Sequence, residues 1–122
     1  YPWIRFVGRL HGKEKAQYFS VSDFLVSPGM VGLNIVDGFA AGLPLVTTES
    51  HNHSPEIAYL ENGLNGLITP ETRDDFLAGI VSLLHDPIRL ANMRLEALKA
   101  SQKYSLDNMV TNFGEGIVGA LN

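Results

Sequence analysis

Two short stretches of this chain hold residue types and spacings that could do chemistry. The first is Ser27-Pro28-Gly29-Met30-Val31-Gly32, followed by Leu33-Asn34 and, one turn further on, Asp37. Two glycines allow the backbone to come close to a ligand. If a helix begins near Gly32, the N–H groups of Gly32, Leu33 and Asn34 have no partner within it, and the helix dipole adds positive potential. Such a place suits a phosphate or diphosphate. Asp37 lies about 7.5 Å further along the axis at 1.5 Å per residue. That is the reach from a diphosphate to the hydroxyls of an attached ribose, which a carboxylate can accept. Asn34 and Asp37, three apart, would share a helix face. The plainer reading is a glycine-bearing loop before a helix, with Asp37 as a dipole partner in its first turn.

The second stretch is Glu49-Ser50-His51-Asn52-His53. Two histidines two apart resemble part of a metal site, but no third ligand follows at a characteristic spacing. A polar loop beside a ligand crevice explains them better, and no metal is assigned. Ser54 reads as a helix N-cap rather than a nucleophile, and Glu56 as a first-turn acid. Arg9, His11, Lys13, Glu14 and Lys15 read as a solvated loop and helix start.

These loops need elements to hold them. Trp3-Ile4-Arg5-Phe6-Val7 is rich in β-formers and predicts a strand ending at Gly8. Gly12–Ser22 predicts a short helix. Asp23–Ser27 predicts a buried strand, Val31–Ala41 a helix stopped by Gly42, and Leu43–Thr48 another strand. Ser54-Pro55-Glu56 opens a helix that ends at Asn62-Gly63. Gly66–Thr69 is a short strand. Pro70 introduces a helix with Phe76, Leu77, Ile80, Val81 and Leu84 as its stripe, closed by Asp86-Pro87. A helix from Ile88 to Gln102 would present Ile88, Ala91, Leu95 and Leu98. Ser105 would cap a last one carrying Leu106, Met109, Val110, Phe113 and Ile117. Apolar strands alternating with helices mean a doubly wound, Rossmann-like α/β fold, with a parallel sheet of about four strands covered on both faces. In such sheets ligands bind beyond the carboxyl ends of the strands, where both polar loops fall.

Composition sets bounds on what this fold serves. The chain has 122 residues, 45% of them hydrophobic, enough for a packed core and too apolar for disorder. Nine Lys+Arg against thirteen Asp+Glu give a net charge of −4, which argues against a nucleic-acid partner. With no cysteine there is neither a disulfide framework nor a thiolate centre. No apolar run approaches the ~20 residues that span a bilayer. The chain starts Tyr1-Pro2-Trp3 and is at once strand-like, which suggests a piece of a longer polypeptide.

Four ordered blocks then carry a resemblance. They are Pro28-Gly29-Met30-Val31-Gly32-Leu33; Asp37 through Thr47; Ser54-Pro55-Glu56-Ile57; and Glu61-Asn62-Gly63-Leu64-Asn65-Gly66-Leu67. Together they resemble the C-terminal, donor-binding domain of GT-B retaining glycosyltransferases of the group 1 (family 4) type. The resemblance covers nearly all of residues 1–122, as one partial domain.

It implies a nucleoside-diphosphate-sugar donor as substrate, with no separate cofactor. Gly29, Met30, Val31, Gly32, Leu33 and Asn34 correspond to the segment used against the donor diphosphate. Asp37 stands where the second Glu of a Glu-x7-Glu pattern binds the donor ribose. The first Glu of that pattern falls on Gly29, a departure that bears on activity. The family's Arg–Lys pair lies earlier in the domain; Gly8-Arg9 mimics it, but Arg9 and Asp23 are too close for the intervening strands. The resemblance also implies a saccharide or lipid-linked acceptor held by a preceding domain, and a cytoplasmic location that includes the inner membrane face. Two other readings stay open: a GT-B sugar-nucleotide 2-epimerase, and a non-catalytic domain that has kept the fold.

Overall fold

A computed structural model describes residues 1–122. In chain order it contains α1 (Gly12–Ser20), β1 (Leu25–Val26), α2 (Asn34–Ala40), β2 (Leu45–Thr48), a 3₁₀ helix (Pro55–Tyr59), β3 (Gly66–Thr69), α3 (Arg73–Leu84), α4 (Pro87–Lys103) and α5 (Leu106–Leu121). The three strands form one parallel sheet in the order β1-β2-β3. Leu25 pairs with Leu45, Leu45 with Gly66 and Thr48 with Thr69, so the carboxyl ends of all three strands share one edge. The α/β parallel class expected from the sequence is the class observed.

The sheet has three strands where about four were expected. Residues 3–7 form no strand, and Phe6 stands 97% exposed. The reason is physical: β-propensity expresses packing against neighbouring strands, and the sheet ends at β1 with no partner for this segment. The helix expected after Ser54 is also shorter and tighter, a single 3₁₀ stretch.

Leu45 and Val46, adjacent on β2, point to opposite faces, and each nucleates its own cluster. Leu45 packs with Val31, Ile35 and Phe39 beside α2, and with Ala97 and Ala100 of α4. Val46 packs with Leu67, with Leu83 of α3 and with Met93 of α4. The face α4 buries is therefore Met93, Ala97 and Ala100, not the expected stripe, since Ile88, Leu95 and Leu98 are exposed. Alanines at that seam let α4 approach α2 closely, which larger side chains would prevent. Similarly, α2 buries Ile35, Gly38 and Phe39 and leaves Leu33 outside.

Caps delimit the later helices as their sequences require. The Thr72 hydroxyl accepts from Asp75 N–H, Asp86 Oδ1 from Arg89 N–H, and the Ser105 hydroxyl from Asn108 N–H. Gly42, with φ at +69°, ends the α2 segment. Arg94 crosses to the turn before β1, donating to the Ser22 carbonyl at 3.2 Å and pairing with Asp23 at 3.5 Å. No helix is long and apolar enough to cross a membrane.

Candidate functional site

The carboxyl edge of the sheet gathers the loop after β1, the start of α2 and the loop after β2. Hydrogen bonds tie these three together. Thr47 Oγ1 donates to the Ser27 carbonyl at 2.7 Å, and Gly29 N–H donates to Thr48 Oγ1 at 3.0 Å. The Ser27 hydroxyl closes the turn on the Met30 carbonyl at 2.7 Å. Ser54 N–H donates to the Val31 carbonyl at 3.0 Å. Gly29 has φ at +85°, the backbone setting that a type II turn demands of the residue after its proline. A glutamate at position 29 would be strained in this backbone conformation.

His53 is the brace of this assembly. Its Nδ1 accepts from Val31 N–H at 3.0 Å, and its Nε2 lies 2.7 Å from the Thr48 carbonyl. A carbonyl can only accept, so Nε2 carries the proton and Nδ1 the lone pair. Both ring nitrogens are thus committed to backbone groups. His51 is exposed and takes no part. Sequence reasoning saw the pair of histidines but not this structural task, because the partners of His53 lie on two other segments.

The amides of the segment Gly29–Asn34 divide into two sets. Those of Gly29 and Val31 are engaged as described, and Gly32 N–H donates to Asn34 Oδ1 at 3.0 Å. Those of Met30, Leu33 and Asn34 have no intramolecular acceptor. Met30 and Leu33 are exposed side chains around them. The start of α2 therefore presents free donors at Leu33 and Asn34, whereas Gly32, expected to be free, is occupied.

Asp37 is exposed, with 55% of its side chain accessible. It faces α1 across a cleft of about 670 Å³ whose lining includes His11, Lys15, Phe19, Asp37, Ala40 and Ala41. Its carboxylate oxygen Oδ2 is paired with the Lys15 ammonium. Asn34 does not line this cleft; its side chain turns back on its own loop. The expected common face of Asn34 and Asp37 is therefore split between two tasks.

Further along, two asparagines lock the approach to β3. Asn65 is buried, accepting from Glu61 N–H at 2.8 Å and donating to the Tyr59 carbonyl at 3.1 Å. Asn62 Oδ1 accepts from Ile68 N–H at 2.9 Å. Tyr59 stacks on Tyr104 with ring centroids 4.2 Å apart. The Glu61–Leu67 block is thus scaffold for the edge of the sheet. Glu56 keeps one carboxylate oxygen buried and without a hydrogen-bond partner.

A family model described as "Glycosyl transferases group 1" matches residues 1–86, well over half of the chain. The chain belongs to the group 1 glycosyl transferases. Among related sequences, a probable sucrose-phosphate synthase of rice (Oryza sativa subsp. japonica) is 32% identical over 97 residues, which is 80% of this chain and 9% of that protein. Among solved structures, a sucrose-phosphate synthase from Thermosynechococcus elongatus superposes with a TM-score of 0.75 at 16% identity, covering 96% of this chain and 30% of that one. HepE of Anabaena, solved in complex with UDP, superposes with a TM-score of 0.68 at 22% identity, covering 84% of this chain and 29% of that one. The same protein was solved with UDP-glucose. At these identities the superpositions establish the shared fold. This group 1 glycosyl transferase chain spans less than a third of the length of any of these proteins.

Proposed function

We propose that residues 1–122 form part of the donor-binding domain of a retaining glycosyltransferase and grip a nucleoside-diphosphate sugar at the sheet's carboxyl edge. The observation that carries this reading is the combination at α2: amides without partners at Leu33 and Asn34, and an exposed Asp37 facing an open cleft. In a group 1 chain, these are the N–H donors that a diphosphate requires and the carboxylate acceptor that a ribose requires. The segment Gly29, Met30, Val31, Gly32, Leu33 and Asn34 wraps the diphosphate, with the engaged amides of Gly29, Val31 and Gly32 fixing the loop and the free ones meeting oxygen. Asp37 accepts the ribose hydroxyls. The complexes of HepE with UDP and UDP-glucose support a uridine-based donor class.

The parent transfers the sugar to a saccharide or lipid-linked acceptor held by a preceding domain, in the cytoplasm or at the inner face of the membrane. Chemistry is electrostatic: donors aimed at the leaving diphosphate stabilise charge as the glycosidic bond breaks. The residues of this segment bind and orient the donor and do not catalyse alone. Gly29, in place of an acid, favours one other reading, a non-catalytic domain that has kept the fold. Turnover of donor by the parent eliminates it, and a new glycoside rather than a free epimer in the products separates transferase from 2-epimerase.

The test is a titration of the full-length parent with UDP, GDP and ADP by calorimetry. A charge-assisted hydrogen bond contributes about 1.5–3 kcal/mol, so Asp37→Ala is expected to weaken the best binder by at least about tenfold. Unchanged affinity in that variant, or no binding of any of the three, refutes the assignment.

A further inference from the structure

We propose that Lys15 is the positioning residue of the donor site, holding the Asp37 carboxylate in place and cancelling its charge so that an anionic nucleotide can settle beside it. This rests on the reading of Asp37 as the ribose acid. Three observations lead to it. First, Asp37 and Lys15 are the only acid and the only lysine or arginine lining the α1/α2 cleft, and they are paired across it. Second, Lys15 has a further neighbour: its ammonium lies 5.4 Å from the centroid of the Phe19 ring, one turn along α1, within cation–π range. With 35% of its side chain accessible, it is less free than a surface lysine. Third, Lys15 engages Oδ2 alone, and Oδ1 of Asp37 has no partner.

The consequences follow from elementary electrostatics. A bare carboxylate next to a diphosphate repels it, in a chain that already carries a net charge of −4. An ammonium on Oδ2 removes that repulsion and leaves Oδ1 to accept a ribose hydroxyl, since a carboxylate has about four lone-pair sites. The same contact restricts the rotation of Asp37 about its side-chain bonds, so less freedom is lost when the ribose arrives. A lysine that touched only solvent would do neither. Lys15 thus acts through Asp37.

UDP binding to the full-length parent, measured by calorimetry, separates the possibilities. Lys15→Met is expected to raise the Kd for UDP about fivefold at low ionic strength, the upper range for a half-exposed pair, and about twofold in 0.5 M salt. Lys15→Arg, which keeps the charge, is expected to stay within about twofold of the parent. In an Asp37→Asn background, where there is no charge to cancel, Lys15→Met is expected to change nothing, a result that lost folding would not produce. Asp37→Asn that weakens UDP while Lys15→Met does not overturns the role of Lys15 and leaves the ribose reading standing. Lys15→Met that weakens UDP equally in both backgrounds also overturns it, in favour of direct contact with the nucleotide. If UDP is indifferent to Asp37→Asn and Asp37→Ala alike, the ribose reading falls first and this proposal with it.

Discussion

Replacing His53 with alanine is expected to lower the free energy of unfolding by about 2–3 kcal/mol and to loosen the loop that carries the proposed diphosphate site. Val31 is fully buried and Thr48 nearly so. His53 satisfies the N–H of the first and the C=O of the second. Truncation leaves both without a partner, and a buried unpaired backbone group costs about 1–3 kcal/mol. The ring is itself only half-buried, so water can reach part of the vacated space, which keeps the loss below the sum of the two extremes. Urea unfolding measures the global effect. Exchange of the Val31 amide measures the local one, and it should accelerate well beyond the change in global stability, because that hydrogen bond has no replacement. Affinity for UDP should fall with it, since Met30, Leu33 and Asn34 flank the loosened segment. An unchanged urea midpoint together with a still-protected Val31 amide would show that the brace is not His53.

The contrast between what could and could not be read from the residues has a common cause. The starts of α4 and α5 were legible because Asp86-Pro87 and Ser105 act on amides within three residues of themselves, whereas α3 begins at Arg73 behind a Thr72 cap and not at Pro70. The three parallel strands were legible because each is an apolar run bounded by turn residues, but β1 is only Leu25–Val26 and, at the sheet's edge, is not buried as expected for Asp23–Ser27. The Trp3–Val7 segment has the same local character and forms no strand, because a ladder needs an edge that only the assembled sheet supplies. The seam of α4 differs from the expected stripe for a related reason. Large residues at Ile88, Leu95 and Leu98 form a plausible stripe, but the close approach of α2 selects the alanines.

At the site, the loop, the free amides of Leu33 and Asn34, and the exposed Asp37 followed from glycine placement and helix geometry. The diversion of Gly32 N–H onto Asn34 is a competition between side chain and ligand that spacing does not register. The contacts of His53 with Val31 and of Lys15 with Asp37 were hidden for the same reason as the missing strand. Val31 lies 22 residues from His53, and Asp37 lies 22 from Lys15.

Two glycines with equally short clearances are expected to respond differently to alanine, because the atoms they meet differ in kind. A Cβ on Gly66 would lie 2.4 Å from the Leu45 carbonyl oxygen and 3.1 Å from Leu60 Cγ and Cδ1. That carbonyl belongs to the ladder in which Leu45 pairs with Gly66, so it can move only if β2 and β3 separate. Overpacking of this sort costs typically 1–3 kcal/mol, and with backbone on one side and a buried leucine on the other, Gly66→Ala is expected near about 3 kcal/mol. A Cβ on Gly38 would also lie 2.4 Å from its nearest neighbour, but that neighbour is Leu25 Cδ1, the end of a half-buried side chain. Leu25 can rotate away, while alanine is better than glycine inside a helix by about 1 kcal/mol. Gly38→Ala is therefore expected to fall within about 1 kcal/mol of the parent, despite its place next to Asp37. Parallel urea titrations of the two variants decide the matter. Equal losses would mean that Leu25 is pinned as firmly as the β2–β3 ladder, and that α2 tolerates no adjustment beside the proposed ribose acid.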